Sequence, residues 1–344
     1  VDGVILHGAM STGFMREVYP HLTGLLNDMG EEQFLDSFRK DLTETVSLPR
    51  KYGIPLLVSS FFGAEDDYSR AYLENDIPVF DSPEKAARAM ASFLRHKEIR
   101  DRKTMITPGI PECNGEAAQI IRGAIADGQR ALDEFQAKRI LSLYGVPVTR
   151  ESSVRTVDEA VQAALEIGYP VAAKACSWEI MHKTGKGLIA LNLKTENEVR
   201  IALGSIRQAS SSETPVLIQE MVSGSREFVA GMTRFPGFGP CILFGLGGVL
   251  TEAIKDVTWR SAPLSDAESQ EMLTDIRAKE LVGAFRGMPA VDATALAGIL
   301  QGVGFISLLH PEIAEIDLNP IIISGSSPIV ADALFVLKGV STAT

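Results

Sequence analysis

The apolar and polar positions of this chain change rhythm near residue 130. Before it, short apolar runs at 4–7, 54–59 and 77–80 stand between longer stretches of helical spacing. Strands alternating with helices in this way make a parallel sheet covered on both faces. Asp81-Ser82-Pro83-Glu84 opens the clearest helix, an amphipathic one ending near Arg95, because a capping side chain and a first-turn proline both suit a helix start. Residues 98–130 run through RDRK and TPGIPECNG and read as a connector. From 131 onward the pattern is α+β. A helix stops at Tyr144-Gly145, where glycine takes the left-handed cap and Pro147 bars continuation. Thr156 with Glu159 forms a capping box ahead of Val157, Val161 and Leu165, and Thr195 with Glu198 and Ser265 with Glu268 repeat the signal. Strands are expected at 171–175, 188–193, 216–222, 228–233 and 241–244, and a helix from about 292 to 309 leads into the segment EIDLNP.

At 344 residues the chain is long enough for two or three domains with their own cores. A hydrophobic fraction of 45% with 22% charged residues fits a folded globular protein. The net charge of −11 argues against general nucleic-acid binding and against docking on an anionic membrane. No apolar run reaches the length of a membrane span. Cys113, Cys176 and Cys241 stand far apart, with no CxxC pair and no histidine at metal-ligand spacing, and so fit reduced thiols of a cytoplasmic protein. The chain opens on an apolar strand with no initiator methionine and no signal-peptide layout, as expected of a chain cut within a larger protein. Three strands are also few for a doubly wound domain, which implies further strands upstream.

The chemistry concentrates in the second half. Alternation along a strand sends Glu315, Asp317 and Asn319 to one face. The SGSS turn at 324–327, if symmetric, sets Asn319 opposite Asp332, with their Cβ atoms roughly 4.5–5.5 Å apart. Asp317, Asn319 and Asp332 then form a cluster of hard ligands of the kind Mg²⁺ shares with nucleotide phosphates; a polar hairpin face is the plain alternative. Lys174 lies mid-strand among alanines in VAAKA, where a phosphate partner would account for it. Glu220 ends the apolar strand VLIQE, and with Met221 and Val222 after it offers a carboxylate and backbone groups to an adenine edge. Glu227 follows the SGSR turn, where a carboxylate could bind ribose hydroxyls; for each of these two glutamates a plain solvated residue is the simpler reading. Gly245, Gly247 and Gly248 in LFGLGGVLTE let backbone approach phosphate oxygens, or simply make a turn.

The segments YGVPVTRE, IGYPVAAKACSWEIMHKTGKG, VLIQEMVSGSREF, FGPCILFGLGGVLTEAIKDVTWRSAPL and EIAEIDLNP, in this order, resemble the ATP-grasp module of the ADP-forming (NDP-forming) acyl-CoA synthetases, relatives of succinyl-CoA synthetase. YGIPLLVSS and NDIPVFDSPEKAARAMASFL resemble the last part of that family's CoA-ligase region. The resemblance implies an α/β fold class: a partial flavodoxin-like CoA-ligase domain with a parallel sheet at 1–97, a linker at 98–130, and an α+β ATP-grasp domain of two lobes at 131–344. It implies acid, CoA and ATP converted to acyl-CoA, ADP and phosphate through a phosphohistidine.

By the same resemblance, Lys174 matches the ATP-phosphate lysine, and Glu220 and Glu227 match carboxylates at the inter-lobe hinge and ribose. Gly247 and Gly248 match the phosphate glycines. Asn319 and Asp332 match the Mg²⁺ ligands, with Asp317 beside them. Arg260 and His182 match catalytic positions, His182 as a phosphate relay. The implied cofactors are ATP/ADP, Mg²⁺ and CoA. The CoA site and the principal phosphohistidine are expected in N-terminal domains outside this chain, with a small carboxylic acid as co-substrate. After HKT the family continues with an acidic residue and a Gly-Gly pair, whereas this chain has Gly185, Lys186, Gly187 and Leu188. Two other readings stay open: an ATP-grasp carboxylate ligase using a free acyl phosphate, and a non-catalytic nucleotide-sensing half of a protein acetyltransferase. The acid, the choice of ATP or GTP, and assembly as a homo-oligomer stay open too.

Overall fold

The computed structural model describes residues 2–8, 11–26, 29–63, 66–101, 109–180, 187–211, 213–248 and 255–338. The chain divides into two compact units, Val1–Thr104 and Met105–Thr344.

In the first unit β1 (Val4–Gly8), β2 (Leu56–Ser60) and β3 (Val79–Phe80) pair in parallel in that order. Helices α1 (Thr12–Leu22) and α2 (Glu31–Tyr52) join β1 to β2, α3 (Asp67–Glu74) joins β2 to β3, and α4 (Pro83–Asp101) follows. The central strand β2 is buried throughout, as a strand covered on both faces must be. Leu56, Val58, Tyr72 and Ile77 pack around it, and Met15, Phe34 and Leu35 form a second cluster between α1 and α2.

The second unit opens with α5 (Gly115–Ala126), inside the stretch the sequence pattern marks as a connector. Asn114 caps it by accepting the N–H groups of Glu116 and Ala117, and Ala117, Ile121 and Ala124 bury into the main core. Its buried stripe is mostly alanine, so it carries little of the hydrophobic signal that marks a helix. Next come β4 (Ala131–Leu132), α6 (Glu134–Leu143) and β5 (Glu151–Val154), with Gly145 at φ 77° just past the helix end.

A small lobe follows. β5, α7 (Val157–Ile167), β6 (Val171–Ala175), β7 (Ile189–Leu193), α8 (Glu196–Ala209) and β8 (Val216–Glu220) build an antiparallel sheet in the order β5-β8-β6-β7. Its core joins Val161, Val171, Val199, Leu203, Val216 and Ile218. Thr156 and Glu159 make the full capping box, whereas the Glu198 carboxylate takes the N–H of Lys194.

The large lobe holds β9 (Glu227–Phe235), β10 (Gly239–Leu246), β11 (Val257–Ser261), α9 (Asp266–Asp275), α10 (Ala293–Leu309), β12 (Ile313–Ser324), β13 (Ser327–Val330) and β14 (Leu334–Leu337). The strands run β11-β10-β9-β12-β14-β4, all antiparallel, with β13 paired to the far end of β12. Helix α10 buries Leu296, Ile299, Leu300, Val303 and Ile306 against one face of this sheet. Full burial of each such side chain contributes about 1.5–3 kcal/mol. Among the described residues no helix is long and apolar enough to cross a membrane.

Candidate nucleotide site

Strand β12 sorts its residues by parity. Ile316 and Leu318 are buried in the core, while Glu315, Asp317 and Asn319 are exposed on the opposite face. After Pro320 the parity reverses and Ile321 and Ile323 turn inward. The ladder to β9 shifts register between Leu318 and Ile321, and proline, with no N–H to donate, occupies the break. The expected hairpin register holds. Ser324 pairs with Ser327, Ile321 with Val330, and beyond the break Asp317 with Leu334, which leaves Asn319 and Asp332 opposite each other. The N–H of Ala331 donates to the Pro320 carbonyl at 3.0 Å between them. The Asp332 carboxylate accepts the N–H of Ala333 at 2.9 Å. Asp317 reaches solvent, yet partial desolvation and the neighbouring carboxylates Glu315 and Asp332 push its pKa up to about 6.

Lys174, on β6 of the small lobe, is 7% exposed. Its Nζ donates to Glu134 Oε1 at 2.7 Å and to the Ala331 carbonyl at 3.1 Å, one residue from Asp332. The lysine therefore crosses from the small lobe to the acidic end of β12. Behind it lies a network that the sequence pattern does not reveal. Lys138 on α6 is 1% exposed and donates to Glu134 at 2.8 Å, Thr149 at 3.0 Å, Glu151 at 2.8 Å and Gln219 at 3.1 Å. Burial opposes its charge, but the Glu134 and Glu151 carboxylates outweigh that and hold its pKa above the ordinary value. Gln219 Nε2 closes the ring by donating to the same Ala331 carbonyl at 3.1 Å. The available signal was the pair Glu134 and Lys138, four apart on one helix face.

At the end of β8 both Glu220 oxygens are engaged by Arg150, through its backbone N–H and its Nε, each at 2.8 Å. Glu220 thus fixes the strand end. Met221 donates its N–H to the Pro170 carbonyl at 3.3 Å, and Met221 and Val222 are half-buried in the short link to β9. Glu227 begins β9 opposite Ile322, on the same sheet face as Gly231 and Asp317. Gly247 donates to the Glu227 carbonyl at 2.8 Å. A Cβ on Gly247 would stand 2.8 Å from the backbone of Glu227 and Phe228, so close approach of two backbones requires glycine there. Gly248, at φ 86°, lies against the Glu227 carboxylate.

Arg260 lies apart from this cluster. It pairs across the sheet with Ile242, which pairs with Met232, which pairs with Ile316. Directly opposed residues share a face, so Arg260 lies on the helix-covered side and Asp317 on the other. Its guanidinium is held by Asp275 and Glu271 of α9. It does not join the acidic cluster. His182, with Gly185 and Lys186, lies outside the described residues.

Among the described residues no three His, Cys, Asp or Glu side chains could hold a metal by themselves. Two carboxylates and an amide, Asp317, Asp332 and Asn319, still suit Mg²⁺, which takes one or two protein carboxylates and completes its shell with water and phosphate oxygens. A cation there would also relieve the carboxylate repulsion that adds to desolvation in raising the Asp317 pKa.

Residues 123–337 match the family described as the ATP-grasp domain. The β subunit of ADP-forming acetate–CoA ligase II from Pyrococcus furiosus is 38% identical over 234 residues, which is 65% of this chain and 99% of that subunit. ADP-forming acetate–CoA ligase I from Archaeoglobus fulgidus is 35% identical over 289 residues, 81% of this chain but 42% of the relative. Among solved structures, the dinucleotide-forming acetyl-CoA synthetase 1 of Ca. Korarchaeum cryptofilum, in complex with coenzyme A and Mg-AMPPCP and with its phosphohistidine segment pointing towards the nucleotide site, superposes with a TM-score of 0.58 at 37% identity. That match covers 64% of this chain and 100% of the other. The fold and the family match thus define an ATP-grasp protein. Within that class, the chain belongs to the family of ADP-forming acyl-CoA ligases.

Proposed function

We propose that this chain is the nucleotide-binding part of an ADP-forming acyl-CoA ligase, which interconverts a carboxylic acid, CoA and ATP with acyl-CoA, ADP and phosphate. The observation that carries this is the reach of Lys174 from the small lobe to the Ala331 carbonyl, which sets an ammonium beside Asp332 and the acidic face of β12. Lys174 holds phosphate oxygens, Asn319 and Asp332 hold Mg²⁺ with Asp317 beside them, and Glu227 takes the ribose hydroxyls against Gly248. Bound Mg²⁺ supplies charge neutralisation at the phosphates. Catalysis of this kind is positioning and electrostatics. A histidine receives the γ-phosphoryl group and carries it to the acyl site, attacking as the neutral imidazole that its ordinary pKa of about 6.5 allows. His182 is the candidate relay. The CoA-binding and phosphohistidine domains are the partners, and the compartment is the reducing cytoplasm, in keeping with cysteines that form no disulfide.

The test is titration of the purified chain with Mg·ATP, followed by an assay for acyl-CoA from acetate and CoA. The expected result is Mg·ATP binding by the chain alone, with acyl-CoA formed only when CoA-binding and phosphohistidine domains are supplied separately. Failure to bind Mg·ATP, or acyl-CoA synthesis by the chain alone, contradicts the proposal.

A further inference from the structure

The two buried lysines share one carboxylate oxygen but differ in what remains to them. An ammonium has three N–H donors. Lys138 faces four acceptors within 3.1 Å, so its donors are all committed inside the protein. Lys174 has two among the described residues, Glu134 Oε1 and the Ala331 carbonyl, which leaves one donor for a ligand. Glu134 and Lys138 lie on α6, which packs into the large-lobe core through Ile140 and Leu141. Lys174 belongs to the small lobe. The shared oxygen therefore ties the ligand-facing lysine to a fixed cation across the lobe junction.

We infer that Glu134 is a positioning residue for nucleotide binding: held by Lys138, it aims the Lys174 ammonium at the phosphates beside Asp332. This rests on the reading of Lys174 as the phosphate-binding lysine. A neutral Glu134 amide would orient Lys174 less tightly and give its flexible side chain other rotamers. A charge-assisted hydrogen bond of this type is worth on the order of tenfold in an equilibrium constant or more.

A double-mutant cycle in Mg·ATP affinity, measured by calorimetry on the full chain, isolates this path from general damage to the fold. The variants are E134Q, K174M and the pair, each with its melting temperature recorded. The expected result is a loss of about tenfold for E134Q in the parent and less than about twofold in the K174M background, because the interaction it supports is then already gone. E134D, which keeps the charge but withdraws the oxygen by one methylene, replaces E134Q in the cycle if that variant does not fold. Equal losses in both backgrounds would show Glu134 acting on the fold alone and overturn the inference, while Lys174 keeps its role. Unchanged affinity in K174M would overturn both.

Discussion

The two faces of the large-lobe sheet are built from the same strands and do opposite work. One face carries the line Ile316, Met232, Ile242 and Arg260, and its apolar members lie in the core under α9 and α10. The other carries the line Asp317, Gly231, Leu243 and Trp259, with Asp317 exposed. A single step along β12 separates a core isoleucine from an aspartate whose proton is held to about pH 6 by desolvation and its acidic neighbours. Face, more than nearness in the chain or in a motif, decides which side chains can meet a nucleotide.

Adjacent substitutions on β12 should separate the two faces most sharply. Ile316→Asn leaves a cavity and a buried amide, and should cost about 3–5 kcal/mol in urea unfolding. Asp317→Asn should keep the fold and change stability in a pH-dependent way. The Asp317 pKa is raised from 3.8 to about 6 in the folded chain, so its contribution is fully present below pH 4 and is lost as pH rises to 6. The amide variant should therefore match the parent's stability at acid pH and exceed it modestly at pH 7, as thermal melts across that window would show. A destabilised Asp317→Asn at pH 7 would mean the carboxylate is held by favourable partners.

The smallest effect belongs to Arg260. Arg260→Gln should lose about 1 kcal/mol of stability, since the ion pairs to α9 are only partly screened, and should alter Mg·ATP affinity by less than about twofold. A tenfold loss of affinity would return Arg260 to the nucleotide site.

The hairpin was legible because period-two alternation and a compact turn together fix register, and register fixes which residues face each other. The capped helices were legible for similar local reasons. The sheet face of Arg260 was not legible because a linear motif carries no information about face until the strand pairing is known. Glu134 and Lys138 stayed hidden because their partners Lys174 and Gln219 lie 40 and 81 residues away, a pairing that only the assembled lobes create. Helix α5 was hidden by its small buried residues.

On the proposed reading, Asp332 and the acidic face of β12 make ATP binding depend on Mg²⁺ next to Lys174. The most direct measurement is ATP affinity with Mg²⁺ and with a chelator, for the parent chain and for Asp332→Ala. Mg²⁺ should strengthen ATP binding to the parent by about tenfold or more, as expected of a carboxylate-held cation, and Asp332→Ala should lose most of that gain while its metal-free affinity and melting temperature stay close to the parent's. A variant that keeps the full Mg²⁺ gain would contradict it.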